Sequence, residues 1–150
     1  MGIDPGPSET AWVIWETNGF RVQLHGKTPN QDLGSYFFAL HHPDLVAIEM
    51  IQSFGMAVGA EVFETCVWIG RLMERAAAAH VADVRRVFRL AVKMHLCHNS
   101  RAKDGNIRQA LIDRLGAPGT KKNQGPTYGI AGDVWSALAV AITAMETPAP

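Results

Sequence analysis

Apolar positions in the first 25 residues are typical of β-strands. Ile3 precedes the turn residues Asp4-Pro5-Gly6, and residues 11–15 are apolar, β-branched or aromatic, so two strands joined by a Gly/Pro turn are predicted. Asn18-Gly19 is a strong hairpin signal. It predicts a turn into a third strand over residues 20–25, where apolar and polar side chains alternate.

The remaining pattern alternates between helical periodicity and short apolar runs. It predicts a helix over 30–40, a buried strand over 44–49, a helix over 57–79, a strand over 84–89, helices over 90–97 and 104–115, and a last helix from Asp133. This βββαβαβα order favours one α/β domain over residues 1–150 with a five-stranded sheet. Residues 117–130, rich in Gly and Pro, predict a mobile basic loop.

The helix predicted over 57–79 is apolar on more than one face. The stripe predicted to face the sheet consists of Val58, Val62, Cys66, Ile69, Leu72 and Met73, and a second apolar side consists of Phe63, Val67 and Trp68. A helix that packs on one sheet needs only one such stripe. The extra width therefore favours contact with a second copy of the chain.

Charge is distributed unevenly, although the net charge is zero. Residues 1–84 carry a net charge of −6, and residues 85–122 carry +8. Such polarisation favours a polyanionic partner at one face. A solvated basic surface without a partner explains the same charges.

Composition narrows the classes of protein that fit. An apolar content of 47% and a charged content of 19% are typical of a globular domain. No apolar run reaches the roughly 18 residues of a membrane span. Without a recognisable signal peptide, the two cysteines, which form no CxxC motif, are expected to be reduced thiols in a cytoplasmic protein. The sequence contains no P-loop motif, so nucleotide hydrolysis of the P-loop type is not expected.

Three acidic residues stand at the ends of predicted elements. Asp4 ends the first strand, Glu49 ends a continuously apolar strand, and Asp133 begins the last helix. A glutamate that emerges from a buried strand is costly unless it is paired, bound to a ligand or exposed. If the first and fourth strands pair in parallel, Asp4 and Glu49 lie within reach of one metal ion. An Asx-turn for Asp4 and an N-cap for Asp133 are the structural alternatives.

Three stretches resemble, in order, the acidic motifs of RuvC-type Holliday junction resolvases. They are Gly-Ile-Asp-Pro-Gly at 2–6, Val-Ala-Ile-Glu at 46–49 and Asp-Val-Trp-Ser-Ala-Leu-Ala-Val-Ala at 133–141. The similarity extends from residue 2 to about 145 and is greatest to the phage-borne branch of that family. It implies an RNase H-like fold with a mixed sheet, a homodimer, and symmetric nicking of four-way junctions or other branched DNA. Two Mg²⁺ ions are implied, with Mn²⁺ as a substitute.

The resemblance also implies roles for individual residues. Asp4, Glu49 and Asp133 match the metal ligands, which prefer hard cations such as Mg²⁺. Ser136 stands where many members have another carboxylate, one helical turn after Asp133. Its hydroxyl, a water or the scissile phosphate is expected to fill the remaining metal-ligand position, and a second ion is expected to bind weakly. Lys93 matches a basic residue that assists catalysis.

The resemblance and the basic stretches together predict the DNA contacts. Phe54 is the candidate for an aromatic wedge in the junction, and the basic candidates are Arg101, Lys103, Lys121 and Lys122. Lysine and arginine contact phosphates without reading bases. A core position for Phe54 and plain surface positions for the lysines are the alternatives.

Two other functions fit the same residues. One is an RNase H-like nuclease for flaps, forks or RNA–DNA hybrids, which would share the three acids and differ in its loops. The other is a junction-binding protein with little cleavage, which the serine at position 136 favours. The fold by itself does not distinguish among these functions.

Overall fold

The computed structural model describes residues 1–52, 55 and 57–148 and contains a five-stranded mixed sheet with helices on both faces. The strands are Gly2–Pro5 (β1), Glu9–Glu16 (β2), Arg21–Pro29 (β3), Leu45–Met50 (β4) and Asp83–Phe88 (β5). The helices are Ser35–His41 (α1), Ala60–Ala78 (α2), Arg89–Cys97 (α3), Asp104–Leu115 (α4) and Val134–Glu146 (α5). The spatial order is β3-β2-β1-β4-β5, with β1 antiparallel to β2 and parallel to β4. The predicted mixed five-stranded sheet is confirmed.

The sheet separates two apolar cores. Helices α3, α4 and α5 pack on one face, against side chains such as Ala11, Val13 and Ala47. Helices α1 and α2 pack on the other face, against Ile3 and Ile48. Because side chains alternate along a strand, neighbouring residues of β1 and β4 face different cores.

Helix α5 lies unusually close to β1. A Cβ atom on Gly2 would stand 2.0 Å from the carbonyl oxygen of Ala137 and 2.8 Å from the Cβ of Ala141, so only glycine fits. The small residues of α5 thus permit this close approach. This packing carries the first residues of α5 to the carboxyl end of β1.

The helix predicted over 30–40 begins later than expected. Asn30–Asp32 forms a short 3₁₀-helix, Gly34 is the N-cap of α1, and α1 ends at His41. The break rotates the apolar face, so that Phe38 is fully buried while Tyr36 is 76% exposed. Strand β3 is also longer than the predicted 20–25, because its pairing with β2 continues to Pro29.

The buried face of α2 differs from the predicted stripe. Thr65, Ile69, Leu72 and Ala76 face the sheet, whereas Val58 precedes the helix and is exposed. The buried set follows i, i+4, i+7 spacing, which selects one face of the helix. The predicted second apolar side is exposed at Phe63 and Val67. In β5, Val87 is buried as expected, but Phe88 is 43% exposed and its predicted burial is wrong.

The 117–130 segment contains a small hairpin where a loop was predicted. Gly119–Thr120 (β6) pairs antiparallel with Asn123–Gln124 (β7), and Lys121 and Lys122 form the turn between them. Gly119 has a φ of 76°, which favours glycine. The segment that follows the hairpin is joined to the main sheet by a 2.9 Å hydrogen bond, which Val22 N donates to Pro126 O.

Among the described residues, none of the helices has the length and apolar character needed to cross a bilayer. Cys66 and Cys97 are free thiols and are half-buried.

Candidate active site

Parallel pairing of β1 and β4 brings Asp4 and Glu49 together. Ile3 stands opposite Ile48 in the ladder, and both point into the core beneath α1 and α2. The next residues, Asp4 and Glu49, therefore share the opposite face, on which α5 packs. Their carboxyl groups form a side-chain hydrogen bond. The first and fourth strands pair in parallel, and this pairing places the two acids beside each other.

The turn that follows Asp4 is anchored by buried polar groups. Thr10 Oγ1 donates a hydrogen bond to Asn30 Oδ1 at 2.6 Å, and Asn30 Nδ2 donates to Gly6 O at 2.9 Å. Arg75 of α2 donates from Nη1 to the Asn30 and Leu33 carbonyls, both at 3.0 Å. Thr10 and Asn30 are nearly completely buried, and buried polar groups are stabilising when their partners are present. This network fixes the backbone on which Asp4 stands.

Burial makes the Asp4–Glu49 pair reluctant to ionise fully. Desolvation, and then the neighbouring Glu49 carboxylate, raise the pKa of Asp4 to about 8. Desolvation also raises the pKa of Glu49, and the Arg89 guanidinium opposes that rise. The pair therefore shares a proton at neutral pH, as close carboxyl groups in a low-dielectric site do. Arg89 opposes these shifts only in part, so two carboxylates in this position would be undercompensated in positive charge.

Arg89 is the cation nearest to Glu49. Its Nη1 lies 3.4 Å from Glu49 Oε1 and 3.5 Å from Oε2, and its Nη2 pairs with Asp104 Oδ1. Arg89 begins α3, whereas the sequence analysis placed it at the end of a strand and gave it no role. Asp104, the first residue of α4, was also missed, because its side chain looked like an ordinary helix-start acid.

Asp133 stands at the N-cap position of α5 but makes no side-chain cap hydrogen bond. Its Oδ2 instead accepts a hydrogen bond from Lys27 Nζ at 2.9 Å, and Lys27 Nζ lies 3.8 Å from Glu9 Oε2. The bond to Asp133 raises the pKa of Lys27. The charge of Asp133 also acts on Asp4, so the two lie near each other. Lys27 and Glu9 were not predicted, since neither stands in a motif.

The donor set suits a hard divalent cation, because all its candidate ligands are carboxylates from separate elements. Asp4 and Glu49 are already adjacent and undercompensated in charge. Within residues 1–52, 55 and 57–148, however, no group of three His, Cys, Asp or Glu side chains is placed closely enough to hold a metal ion. Asp133 Oδ2 is engaged by Lys27, so its other carboxylate oxygen, Oδ1, is the one that could complete the set.

Two surface clefts border Asp133. A cleft of about 270 Å³ is lined by Asp4, Glu9 and Lys27, and a cleft of about 340 Å³ is lined by Arg89, Arg108 and Ser136. The Arg108 guanidinium lies 5.1 Å from the centroid of the Trp135 ring, a cation–π contact that restricts its orientation. Ser136 thus borders the second cleft, beside two arginines. Arg108 is a further residue that the sequence analysis did not single out.

The predicted basic residues fall into two groups. Lys93 lies one turn after Arg89 on α3 and is half-buried, while Lys103 is the exposed N-cap of α4, next to Asp104. Arg101 is exposed, and its backbone nitrogen donates to Asn99 Oδ1 at 2.9 Å. These three lie on the elements that line the second cleft or next to them.

Lys121 and Lys122 lie away from the catalytic corner, the group formed by Asp4, Glu49 and Asp133. They lie at the tip of the β6–β7 hairpin, whose neighbour Pro126 binds β3 at Val22, five residues along the strand from Lys27. Five strand residues span about 17 Å. Phe54 lies outside the described residues.

Comparisons with known proteins give a structural likeness only. No protein-family model matches the chain, and no curated protein matches it. A solved structure of Thermus thermophilus RuvC matches with a TM-score of 0.68 at 19% identity, covering 95% of this chain and 90% of that one. T. thermophilus RuvC in complex with Holliday junction substrate matches with a TM-score of 0.69 at 18% identity, covering 95% and 89%. The chain therefore has the RNase H-like fold of RuvC, as its motifs predict.

Proposed function

We propose that this protein is a divalent-metal-dependent endonuclease that nicks branched DNA, with the four-way junction as its substrate. The observation that carries the proposal is the hydrogen-bonded, largely buried pair of Asp4 and Glu49 at adjacent ends of parallel strands, with Asp133 beside it. Support comes from the fold, which is that of RuvC, including the RuvC solved with a Holliday junction substrate.

The chemistry assigned to the site follows from its residues. Asp4 and Glu49 would hold Mg²⁺, or Mn²⁺ in its place, with Asp133 as the third ligand. A bound divalent ion supplies a Lewis acid that polarises a phosphodiester and stabilises its developing charge. Arg89 orients Glu49 through its guanidinium, and the Asn30–Thr10 network keeps Asp4 in place. The products would be a 5′-phosphate and a 3′-hydroxyl, since hydrolysis breaks the bond from phosphorus to the 3′-oxygen.

Basic side chains around the second cleft are suited to the DNA backbone. Arg108, oriented by Trp135, and Lys103 at the start of α4 are exposed and border the corner. Phosphate contacts of this kind position a duplex without reading its sequence. We assign Lys93 and Arg101 to the same surface, and Lys121 and Lys122 to a more distant contact with an arm of the junction.

A second copy of the chain is proposed as the partner of α2. Phe63 and Val67 on this helix are 63% and 47% exposed, which is unusual for large apolar side chains side by side. Symmetric cutting of a junction needs two active sites, which a two-fold dimer provides. Sedimentation should show a dimer for the parent and a monomer for Phe63→Glu, while Glu64→Gln, a change at the adjacent exposed position, should remain dimeric.

The proposed function is tested with a labelled four-way junction, a fork and a linear duplex of equal length, each incubated with Mg²⁺. We expect paired nicks at symmetric positions of the junction, at least tenfold faster than any cut in the duplex. Asp4→Asn should bind the junction and leave it intact, and Asp32→Asn, which removes an exposed acid outside the corner, should cut like the parent.

Other results would change the assignment. Equal cutting of fork and duplex would favour a general RNase H-like nuclease. Tight binding of the junction without nicks, in Mg²⁺ and again in Mn²⁺, would support a junction-binding protein. Ser136 and the incomplete grouping of the three acids are the observations that favour this last outcome.

A further inference from the structure

Lys27 reaches the catalytic corner across the sheet. The β-ladders pair Asp4 with Ala11 and Ala11 with Lys27, so the three residues form one row across β1, β2 and β3. Side chains opposite each other in a ladder point to the same face. Ala11 is buried and carries only a methyl group, so the lysine chain can extend over it towards Asp133. The position of Lys27 is thus set by sheet register.

The Lys27 ammonium lies among acidic groups. Its Nζ is 2.9 Å from Asp133 Oδ2 and 3.8 Å from Glu9 Oε2, and it interacts electrostatically with Asp4. These residues line the cleft of about 270 Å³ beside Asp133. A fixed positive charge therefore already stands on one side of Asp133, where a second cation would otherwise compensate this carboxylate.

The next turn of α5 offers no carboxylate on the other side of Asp133. The residue there is Ser136, and it shares its cleft with Asp104 and with the guanidinium groups of Arg89 and Arg108. A divalent ion that used Asp133 as its main ligand would meet a neutral hydroxyl, two guanidinium groups, and a carboxylate that Arg89 already engages. Mg²⁺ binds through carboxylates and waters, so this environment is unfavourable for a second ion.

From these contacts we propose that Lys27 replaces a second divalent ion, so that the site holds one ion, shared by Asp4 and Glu49, with Lys27 compensating the charge of Asp133. This inference rests on the proposed metal-dependent function and specifies how many ions it uses. Lys27 acts as a positioning residue: it engages one carboxylate oxygen of Asp133, and the other oxygen can still serve the single ion.

The number of bound ions tests the inference without any cleavage assay. Mn²⁺ binding to the DNA-free protein is measured by electron paramagnetic resonance, which counts free Mn²⁺ against total. The parent is compared with Lys27→Gln and with the double variant Lys27→Gln/Ser136→Asp. Arg21→Gln is the matched control, because Arg21 stands on the same strand and pairs with an acid of β2, Glu16, at 3.2 Å.

We expect one Mn²⁺ ion per chain for the parent and for Arg21→Gln. Lys27→Gln should bind a second ion or bind the first about tenfold more tightly, as is expected when a neighbouring positive charge is removed. The double variant should bind two ions. Lys27→Arg, which keeps the charge, should retain the parent's single ion.

The other possible results of this experiment distinguish a failure of this inference from a failure of the proposed function. Two ions on the parent, or a parent-like result for both Lys27→Gln and the double variant, would overturn the role of Lys27 and leave the nuclease intact. One ion on the parent with no nicking of any DNA would support Lys27 and contradict the proposed function. No Mn²⁺ binding by the parent would overturn both.

Discussion

The candidate active site formed by Asp4, Glu49 and Asp133 has two sides, and these are built in different ways. On the inner side, Asp4 and Glu49 stand on adjacent parallel strands, are largely buried, and share a hydrogen bond. On the outer side, Asp133 and Lys27 meet across the sheet with side chains that are 59% and 48% exposed. The inner pair shares the single guanidinium of Arg89, which Asp104 also engages, whereas the outer acid is paired with Lys27.

This difference indicates a division of roles. A buried pair of carboxyl groups held by strand register is rigid and gains most from a divalent cation. An exposed ion pair contributes little to stability and is free to rearrange when DNA approaches. The inner side is therefore expected to determine metal binding and the rate of hydrolysis, and the outer side to adjust them.

Substituting one acid from each side, Glu49 and then Asp133, should show the difference between the two sides most clearly. Glu49→Gln is expected to reduce the nicking rate by at least about 10³-fold, because it removes a proposed primary ligand of the metal. Asp133→Asn should reduce the rate by only about 10- to 100-fold, because Lys27 already engages one of its oxygens. Single-turnover nicking of a four-way junction measures both rates. Equal losses would contradict the division.

The stability of the metal-free protein should depend on pH through Asp4. Its pKa is raised from 3.8 to about 8 in the folded protein, so the unfolded chain releases this proton at lower pH. The contribution of Asp4 to stability should be greatest below pH 4, fall as the pH rises towards 8 by up to about 1.4 kcal/mol per pH unit, and level off above. Urea unfolding in chelator should show this slope for the parent and a flatter profile for Asp4→Asn. A parent whose stability rises over this range would refute the assignment.

Arg89→Gln should destabilise the metal-free protein by about 1–3 kcal/mol, since Glu49 would lose the cation beside it in a mostly buried position. Protonation of Glu49 limits the loss. In the control Arg21→Gln, the broken ion pair is exposed and should cost less than about 1 kcal/mol. Thermal unfolding with and without Mg²⁺ checks this. An Arg89→Gln loss no larger than that of the control would contradict the role of Arg89.

The smallest effect is expected at the hairpin tip. Replacing Lys121 and Lys122 together by Gln should weaken junction binding a few-fold and lower the slope of log affinity against log salt by about 1.8. The nicking rate of bound junction should stay as in the parent, because the tip lies away from the corner. Replacing both by Arg retains the charges and should preserve binding. An unchanged salt slope would show that these lysines do not contact DNA.

The inner side was predictable because local patterns determine it. A strand that ends in Asp-Pro-Gly and an apolar run that ends in Glu49 place two acids at strand ends, and parallel pairing brings them together. The acid that begins the last helix, Asp133, was also identified from its local motif, and Gly2 permits the close packing of this helix on β1. Each of these features depends on residues near each other in sequence or on one strand pairing.

The outer side could not be predicted because it depends on distant contacts. Lys27 and Asp133 are 106 residues apart, and Arg89 and Glu49 are 40 apart. The role of Arg89 also depends on one boundary: the predicted strand included it, whereas helix α3 begins there and directs its side chain to Glu49. The break at Leu33–Gly34 was missed for a similar reason, since apolar spacing continued across it.

The central claim is that Asp4 and Glu49 form a metal site, in which the bound divalent cation compensates the negative charge of the two carboxylates. Calorimetric titration of Mg²⁺ at pH 7, in two buffers with different ionisation enthalpies, tests it directly. The account predicts binding to the parent with release of most of one proton, because Asp4 with a pKa of about 8 must deprotonate, and neither binding nor release for Asp4→Asn. Equal Mg²⁺ binding by the parent and Asp4→Asn, with no proton released by either, would contradict it.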